Sequence, residues 1–291
     1  MIKLIKRAIH KIFYMSLHAN YKKKLMPFLR YNDSITASWY LSENYEHHIN
    51  ETIDHFIKKK YNNFFIDIGA NIGLTTIQNY QKFDSTHCFE PNSTVFNILK
   101  TNIKICCNDL KKINLHNVGL GKEKGKFSLN VPRNNFGGAF IKDNNSYNFE
   151  TLAKKDGLDS FESKNYFTEE VIIEDQNFLK SNVFDDLKKE SKGVIKIDVE
   201  GYELQIIELL IKSIPTKEFA IIFENWMDIP KSSITKILEK NNLLKYELFT
   251  ISYPKFLNKP LPFFSKMKLK KINSGQKSIK GGYDVLIHFS K

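Results

Sequence analysis

The sequence predicts an α/β fold in which seven strands form one mixed sheet with helices on both faces. Two observations predict it. From residue 63 onwards, short apolar runs alternate with segments of helical periodicity, which is typical of parallel strands joined by crossover helices. Two later apolar runs, at 246–251 and 284–289, are joined by a basic, proline-containing loop and are expected to close the sheet as an antiparallel pair.

The elements follow in order along the chain. Phe65, Ile66 and Ile68 predict a buried strand, because strands of a parallel sheet are covered on both faces. Pro230 fits the first turn of a helix, where its missing N–H would be unpaired in any case. The predicted strands of the sheet are 63–68, 86–90, 113–118, 194–198, 219–224, 246–251 and 284–289, and the predicted helices are 44–59, 73–82, 92–104, 183–190, 202–212 and 230–240.

Composition indicates how the chain is organised. Of the 291 residues, 42% are hydrophobic, which is enough for the core of one large domain at 45–291. Residues 1–44 are predicted to form a basic helical extension, since residues 1–30 carry eight Lys or Arg and no acid. Isoleucines recur at helical spacing in residues 1–18, so this helix either attaches to an anionic membrane surface or packs on the domain or on a partner subunit in a homodimer.

The expected location is the cytoplasm, and the basic helix adds the expectation of peripheral attachment at the inner membrane face. Cys106 and Cys107 are neighbours and Cys88 stands alone, so no disulfide framework is indicated. No run approaches the ~20 apolar residues of a membrane span. Residues 1–17 carry charges throughout, unlike a signal peptide.

An insertion at 126–180 interrupts the alternation of strands and helices. The runs 126–131 and 170–173 are expected to pair as strands, and a long polar segment containing Gly137 and Gly138 separates them. Long segments of this kind in compact domains are usually functional. We therefore expect a lid or an acceptor-binding element, and the alternative is a disordered surface loop.

A glycine turn after the first strand predicts a nucleotide-cofactor site. Gly69 and Gly73 bracket the turn, where the absence of a side chain lets a ligand approach the backbone. The spacing is not G-x-G-x-x-G, so the dinucleotide fingerprint is not met. Asp67, before the turn, suits a ligand that carries positive charge. Glu90, at the end of the next strand, can accept hydrogen bonds from both ribose hydroxyls.

Several stretches resemble the FkbM family of S-adenosylmethionine-dependent methyltransferases. The Lys-Ile-Asp-Val-Glu-Gly run is the most specific of them, and Gly119 stands where the family more often has alanine. The resemblance implies a Rossmann-like class I methyltransferase fold, S-adenosylmethionine as cofactor with S-adenosylhomocysteine as product, and methyl transfer to a hydroxyl, usually on a sugar or glycoside. The stretches are 65–74, 89–92, 117–125, 196–203 and 223–225.

Three carboxylates at strand ends are the candidate catalytic residues. A hydroxyl is a poor nucleophile until a base takes its proton. Asp198 ends a central strand, Glu200 lies two residues further on, and Glu224 ends the neighbouring strand at the same edge. Clustering three carboxylates is costly unless a cation or the acceptor lies between them. The alternative for Glu200 and Glu203 is that they only start the next helix, where acids are favoured.

The residues assigned to the cofactor lie at the same edge. They belong to the glycine turn, to the ribose acid and its neighbours, to the end of the third strand and to the end of the central strand. The predicted cofactor-binding residues are Asp67, Gly69, Ala70, Asn71, Gly73, Leu74, Glu90, Pro91, Asn92, Asn117, Val118 and Asp198. No metal ligands are assigned, and magnesium between Asp198 and the neighbouring acids is the less favoured alternative.

The acceptor is expected to be a sugar or glycoside, in a surface glycan, a glycolipid or a nucleotide-sugar precursor. A net charge of +12 raises the alternative of a nucleic-acid methyltransferase. Methylation of base amines usually goes with an Asn/Asp-Pro-Pro-aromatic turn, and Val199-Glu200-Gly201 stands there instead, so nucleic acid is not the expected partner. A basic patch at 248–283, with eight Lys and no acid, suits a polyanion, an anionic membrane or a phosphorylated substrate. The remaining alternative is a non-catalytic binding module on the same fold.

Overall fold

The computed structural model describes residues 39, 45–133, 135–143, 145–155, 160–240, 245–252, 255–256, 259–260 and 266–290. The basic extension predicted at 1–44, with its helix at 1–18, therefore lies outside the described residues except for Trp39. Among the helices that are described, none is both long and apolar enough to cross a membrane.

Strands and helices alternate through most of the described chain. The strands are β1 (Phe64–Ile68), β2 (Ser85–Phe89), β3 (Ile113–His116), β4 (Gly119–Leu120), β5 (Gly125–Pro132), β6 (Phe140–Ile141), β7 (Tyr166–Glu174), β8 (Lys192–Ile197), β9 (Glu218–Phe223), β10 (Ile229–Pro230), β11 (Lys245–Ser252), β12 (Lys255–Phe256), β13 (Lys259–Pro260), β14 (Lys268–Lys271), β15 (Ser278–Ile279) and β16 (Asp284–Ser290). The helices are α1 (His47–Lys58), α2 (Leu74–Asn79), α3 (Ser93–Cys106), α4 (Phe149–Lys155), α5 (Gln176–Asn182), α6 (Glu203–Ser213) and α7 (Lys231–Glu239).

The main sheet, within the described residues, has eight strands in the order β14–β11–β16–β9–β8–β1–β2–β3. The strands from β9 to β3 are parallel to one another. β16 lies antiparallel between β9 and β11, as expected for the closing pair. This order confirms the predicted Rossmann-like class I methyltransferase fold.

The prediction of seven strands is wrong by one strand. β14 pairs antiparallel with β11 at the edge of the sheet, where Leu269 lies opposite Ile251. The sequence of β14 is Lys-Leu-Lys-Lys. One apolar side chain among lysines produces no alternating pattern, so the sequence does not separate this strand from the basic loop. Charged side chains are common on edge strands, where they discourage pairing with other chains.

The prediction of a helix at 183–190 is also wrong. The helix in this part of the chain is α5, which ends at Asn182 and is followed by turns. Asp175 caps its start, because the side chain accepts a hydrogen bond from Asn177 N at 2.9 Å.

Neighbouring residues of the central strands are buried on opposite faces of the sheet, as the pleat requires. On one face, Ile66 of β1 and Ile195 of β8 belong to a core that also contains residues of α5, α6 and α7. On the other face, Phe65 and Val194 pack with Ile53 of α1. Helices therefore cover both faces, and the carboxyl ends of the parallel strands form the edge left for a site.

The insertion forms a second sheet together with β4, which precedes it, in the order β4–β7–β5–β6. β5 and β7 pair antiparallel, with Lys126 opposite Ile172 and Val131 opposite Phe167, so the two predicted runs do pair. Both strands are longer than the runs that predict them. A separate aromatic cluster centred on Phe140 packs inside the insertion. The insertion is thus a packed element with its own small core.

Candidate active site

A pocket of about 760 Å³, counting its opening to solvent, lies between the carboxyl edge of the main sheet and the insertion. The insertion contributes an apolar wall that includes Leu129, Phe140 and Ile173. The sheet contributes the polar groups. The predicted site residues that line this pocket are Gly69, Asn71, Glu90, Pro91, Val118, Asp198 and Glu200.

Gly69 lets β1 and β8 approach closely at the base of the pocket. The Asp198 N–H donates a hydrogen bond to the Ile68 carbonyl at 2.9 Å. A Cβ on Gly69 would lie 1.9 Å from the Asp198 carbonyl oxygen, and the residue has a φ of 78°. Any side chain here would collide with backbone and strain the turn. The glycine therefore shapes the pocket floor.

Glu90 is oriented by the backbone of the two turns beside it. Its Oε2 accepts a hydrogen bond from Asn71 N at 3.0 Å, and its Oε1 accepts one from Asn92 N at 2.9 Å. The residue is 8% exposed, and burial raises the pKa of Glu90 to about 7 despite these two bonds. The carboxylate is held in one orientation at the pocket surface.

Three carboxylates surround the buried Lys196, in a group that we call the Lys196 cluster. Its Nζ is 3.0 Å from Asp198 Oδ2, and 3.7 Å from both Asp67 Oδ1 and Glu46 Oε2. Lys196 is only 4% exposed. Burial alone would raise the pKa of Asp198, but Lys196 lowers it below its usual value. Asp198 is thereby kept ionised.

A second lysine joins the other two candidate carboxylates, forming the Lys155 cluster. The Lys155 Nζ lies 2.5 Å from Glu200 Oε2 and 2.9 Å from Glu224 Oε2. Burial raises the pKa of Glu200 to about 8, although Lys155 acts to lower it. Trp226 completes the cluster, because its indole N–H donates to Glu224 Oε1 at 2.8 Å and the Lys155 Nζ lies 4.8 Å from the ring centre.

Hydrogen bonds attach the insertion to the turn that carries Glu200. Asn145 Nδ2 donates to the Glu200 carbonyl at 2.6 Å, and Ser146 Oγ donates to the Gly201 carbonyl at 2.7 Å. The Tyr202 hydroxyl donates to the Asp143 carbonyl. A Cβ on Gly201 would lie 1.9 Å from Asn145 Oδ1. These contacts hold α4, and with it Lys155, against the acidic edge.

Sequence comparison identifies the family. A model described as the methyltransferase FkbM domain matches residues 67–245, more than half of the chain. The chain belongs to the FkbM methyltransferase family. A comparison with curated proteins finds no match.

Solved structures match this FkbM methyltransferase at low identity. An FkbM methyltransferase from Methylobacillus flagellatus KT is 13% identical over 78% of this chain and 44% of that chain, with a TM-score of 0.38. An O-methyltransferase from Bacillus cereus in complex with SAH is 8% identical over 86% of this chain and 84% of that chain, with a TM-score of 0.40. A putative O-methyltransferase from Klebsiella pneumoniae is 7% identical over 86% and 83%, with a TM-score of 0.42. Likeness at this level carries no argument about function.

The cofactor of an FkbM methyltransferase is S-adenosylmethionine, which supplies a methyl group already activated on a sulfonium. The residues of the pocket fit it. Glu90 offers an oriented carboxylate to hydroxyl donors, and Asp198 offers a negative charge to a positive ligand. Asn71 Oδ1 is buried without a hydrogen-bond partner among the described residues, so a ligand donor would satisfy it.

The other predicted cofactor residues support the pocket from behind. Asp67 is fully buried, accepts a hydrogen bond from the Thr76 hydroxyl at 2.7 Å and does not line the pocket. Asn92 caps α3 by accepting from Val95 N at 3.0 Å. Asn117 Nδ2 donates to the Glu90 carbonyl at 2.9 Å. The remaining residues, which pack around the glycine turn, are Ala70, Gly73 and Leu74.

Gly119 stands where the family more often has alanine, and the structure shows what surrounds it. Gly119 lines the pocket, and a Cβ there would lie 2.5 Å from Ile173 Cδ1. Ile173 belongs to β7, the strand that pairs with β4. The glycine therefore leaves room for the Ile173 side chain at the pocket wall.

Two lysines of the site were given no role by the sequence. Lys196 lies within the Lys-Ile-Asp-Val-Glu-Gly run, but the pattern alone assigns it no partner. The crowding of acids at one edge predicts a cation, and Lys154 and Lys155 are equally eligible in sequence. Only the packing of α4 selects Lys155. The helix-start alternative applies to Glu203, whose Oε1 accepts a hydrogen bond from Gly201 N at 3.2 Å.

The magnesium alternative gains no support from these contacts. Each carboxylate cluster already contains a lysine ammonium at hydrogen-bond distance from a carboxylate. In the part of the chain that the structure describes, His, Cys, Asp and Glu side chains form no group suited to a metal ion.

Proposed function

We propose that this FkbM methyltransferase transfers a methyl group from S-adenosylmethionine to a hydroxyl of a sugar, in a surface glycan, a glycolipid or a nucleotide-sugar precursor. One observation supports the proposal most directly. Asp198 and Glu200 line the same pocket, yet the pKa of Asp198 is lowered while burial raises the pKa of Glu200 to about 8. Carboxyl groups whose pKa values differ in this way serve different roles.

The proposed roles follow from these two pKa values. Asp198 stays ionised and stabilises the positive charge of the cofactor. Glu200 has a pKa near the working pH, which suits a general base for the acceptor hydroxyl. Lys155 holds the Glu200 carboxylate in place while the insertion excludes water from the apolar side of the pocket.

The surroundings of Glu200 suit a sugar ring. Trp226 is 45% exposed, so its indole presents an apolar surface to the C–H groups of a ring. Glu224 can accept hydrogen bonds from hydroxyls, and Lys155 can donate to them. We place the reaction in the cytoplasm, because Cys88, Cys106 and Cys107 are all unpaired, as in proteins of reducing compartments.

Methyl-labelled S-adenosylmethionine tests this function with nucleotide sugars, neutral glycosides and RNA as acceptors. We expect label on a sugar hydroxyl. Glu200→Gln should lower kcat about 10²–10⁴-fold at unchanged cofactor affinity, the range for a positioned base. Asp198→Asn should instead weaken S-adenosylmethionine binding measured by calorimetry. Label that is released by ribonuclease, or turnover that survives Glu200→Gln, would contradict the proposal.

A further inference from the structure

A second cleft, of about 1360 Å³ counting its opening to solvent, lies at the antiparallel end of the main sheet. We call it the basic cleft. Its charged lining residues among those described are Lys270, Lys271, Lys277 and Lys280, and all four are exposed. Thr250, Ser252 and Ser278, which carry hydroxyl groups, also line the cleft. No described lining residue is acidic, so the cleft is a region of positive potential with neutral hydrogen-bond donors.

Most of the positive charge in the basic cleft is uncompensated. Lys271 Nζ pairs with Glu247 Oε1 at 2.5 Å. Lys270, Lys277 and Lys280 form no ion pair with any carboxylate in the described chain. Three unpaired ammonium groups around one cleft repel each other, and an anion between them relieves that repulsion.

The basic cleft adjoins the Lys155 cluster through the turn that follows Glu224. Asn225 Nδ2 donates to the Lys280 carbonyl at 2.9 Å, and Gly282 N donates to the Asn225 carbonyl at 2.7 Å. A Cβ on Gly281 would lie 2.3 Å from the Trp226 carbonyl oxygen. The backbone of Lys280 is therefore in direct contact with the turn that presents Trp226.

The two neighbouring regions differ in the cations that they leave unpaired. In the Lys155 cluster, the one lysine is already paired with Glu200 and Glu224, so an anionic group finds no unpaired cation there. In the basic cleft, an anionic group is favoured. An acceptor with a neutral hydroxyl-bearing ring and an anionic tail would match both regions at once.

We propose that the basic cleft binds the phosphoryl group of a phosphorylated sugar acceptor, a step that rests on the function proposed above. Lysine ammonium groups and hydroxyls are suitable donors for phosphate oxygens. The phosphate, bound by Lys270, Lys277 and Lys280, positions the sugar hydroxyl toward Glu200. The phosphoryl group belongs either to a soluble nucleoside diphosphate sugar or to a lipid-linked sugar phosphate.

Binding of inorganic pyrophosphate to the full chain, measured by calorimetry, tests the cleft without any turnover. The test variant is Lys277→Gln/Lys280→Gln. The matched control is Lys212→Gln/Lys240→Gln, which removes the same charge where both lysines pair with Glu208. We expect the test variant to weaken binding at least tenfold and the control to retain it. Equal pyrophosphate binding by the wild-type protein, the test variant and the control would overturn the proposal.

Kinetics then connect the cleft to the acceptor. The test variant should raise KM for a nucleoside diphosphate sugar about tenfold or more, and leave KM for a neutral glycoside and calorimetric affinity for S-adenosylmethionine unchanged. Vesicles that contain polyprenyl phosphate should compete with pyrophosphate if the source is a lipid, and nucleoside diphosphate should compete if it is soluble. Competition by neither would overturn the assignment. Pyrophosphate binding without methyl transfer to any sugar would reject the function proposed above and leave the anion site intact.

Discussion

Two lysines neutralise the acidic edge of the sheet, and they reach it by different routes. Lys196 belongs to β8 and lies two residues before Asp198, which directly follows the strand, so the extended chain brings both side chains to the same side. Lys155 belongs to α4 in the insertion and lies 45 residues before Glu200. Their side chains are 5% and 8% exposed. Similar burial therefore arises from local strand geometry in one case and from docking of the insertion in the other.

The difference separates the side of the site that we propose for the cofactor from the side that we propose for the acceptor. In the Lys196 cluster, the lysine belongs to β8, which is hydrogen-bonded to strands on both sides. The Lys155 cluster forms only while the insertion is attached at Glu200 and Gly201. The Lys196 cluster is therefore expected to stay rigid, and the Lys155 cluster is expected to come apart when the insertion detaches.

Loss of Lys196 should have the largest effect on stability. Lys196→Met leaves Asp67, Glu46 and Asp198 close together without a cation, so we expect a loss of about 3–5 kcal/mol in the free energy of unfolding. Urea denaturation measures it. The control is Lys192→Met on the same strand, because Lys192 is 33% exposed and pairs with Glu218. That change should cost about 0–1 kcal/mol. Similar losses in the two variants would mean that Lys196 contributes no more to the free energy of unfolding than Lys192 does.

Loss of Lys155 should act on turnover more than on stability. Lys155 acts to lower the pKa of Glu200, which is about 8, so Lys155→Met should raise that pKa further. A base must be deprotonated to work, and the acidic limb of the kcat/KM profile should therefore move to higher pH. At pH 7, activity should fall about tenfold if the pKa of Glu200 rises by about one. Lys154→Met, the exposed neighbour on the same helix, is the control. An unchanged profile would remove Lys155 from the site.

A further effect is expected in the pH dependence of stability at Glu90. Its folded pKa is about 7 against an ordinary value of 4.5. The folded protein therefore keeps a proton that the unfolded chain releases. This stabilisation is complete below pH 4.5 and is lost as the pH rises through about 7, with a slope of at most about 1.4 kcal/mol per pH unit. Glu90→Gln should flatten that slope in urea titrations, and the exposed control Glu123→Gln should not. Parallel slopes would argue against a raised pKa.

Some parts of this molecule are predictable from local sequence signals, and others depend on packing. Residues 65–74, 89–92 and 196–203 carry their signals within a few residues, so the sequence predicts Gly69, Glu90 and Asp198 at one edge, where they lie. β14 was missed because Lys268–Lys271 contains one apolar residue, and its pairing depends on the partner strand β11. Asp67 belongs to β1, and its side chain is directed toward Thr76 and Lys196, away from the pocket.

The sequence by itself determined the fold, the glycine turn and the acids at the strand ends, because each rests on short-range periodicity or on a turn that only certain residues allow. Only the tertiary structure decided which lysine forms an ion pair with which acid, where the insertion lies and how the basic cleft adjoins the turn of Trp226. Contacts between residues far apart in the chain depend on how whole elements pack. The position of Lys155 between Glu200 and Glu224 follows from the aromatic core of the insertion and its hydrogen bonds to the Glu200 turn.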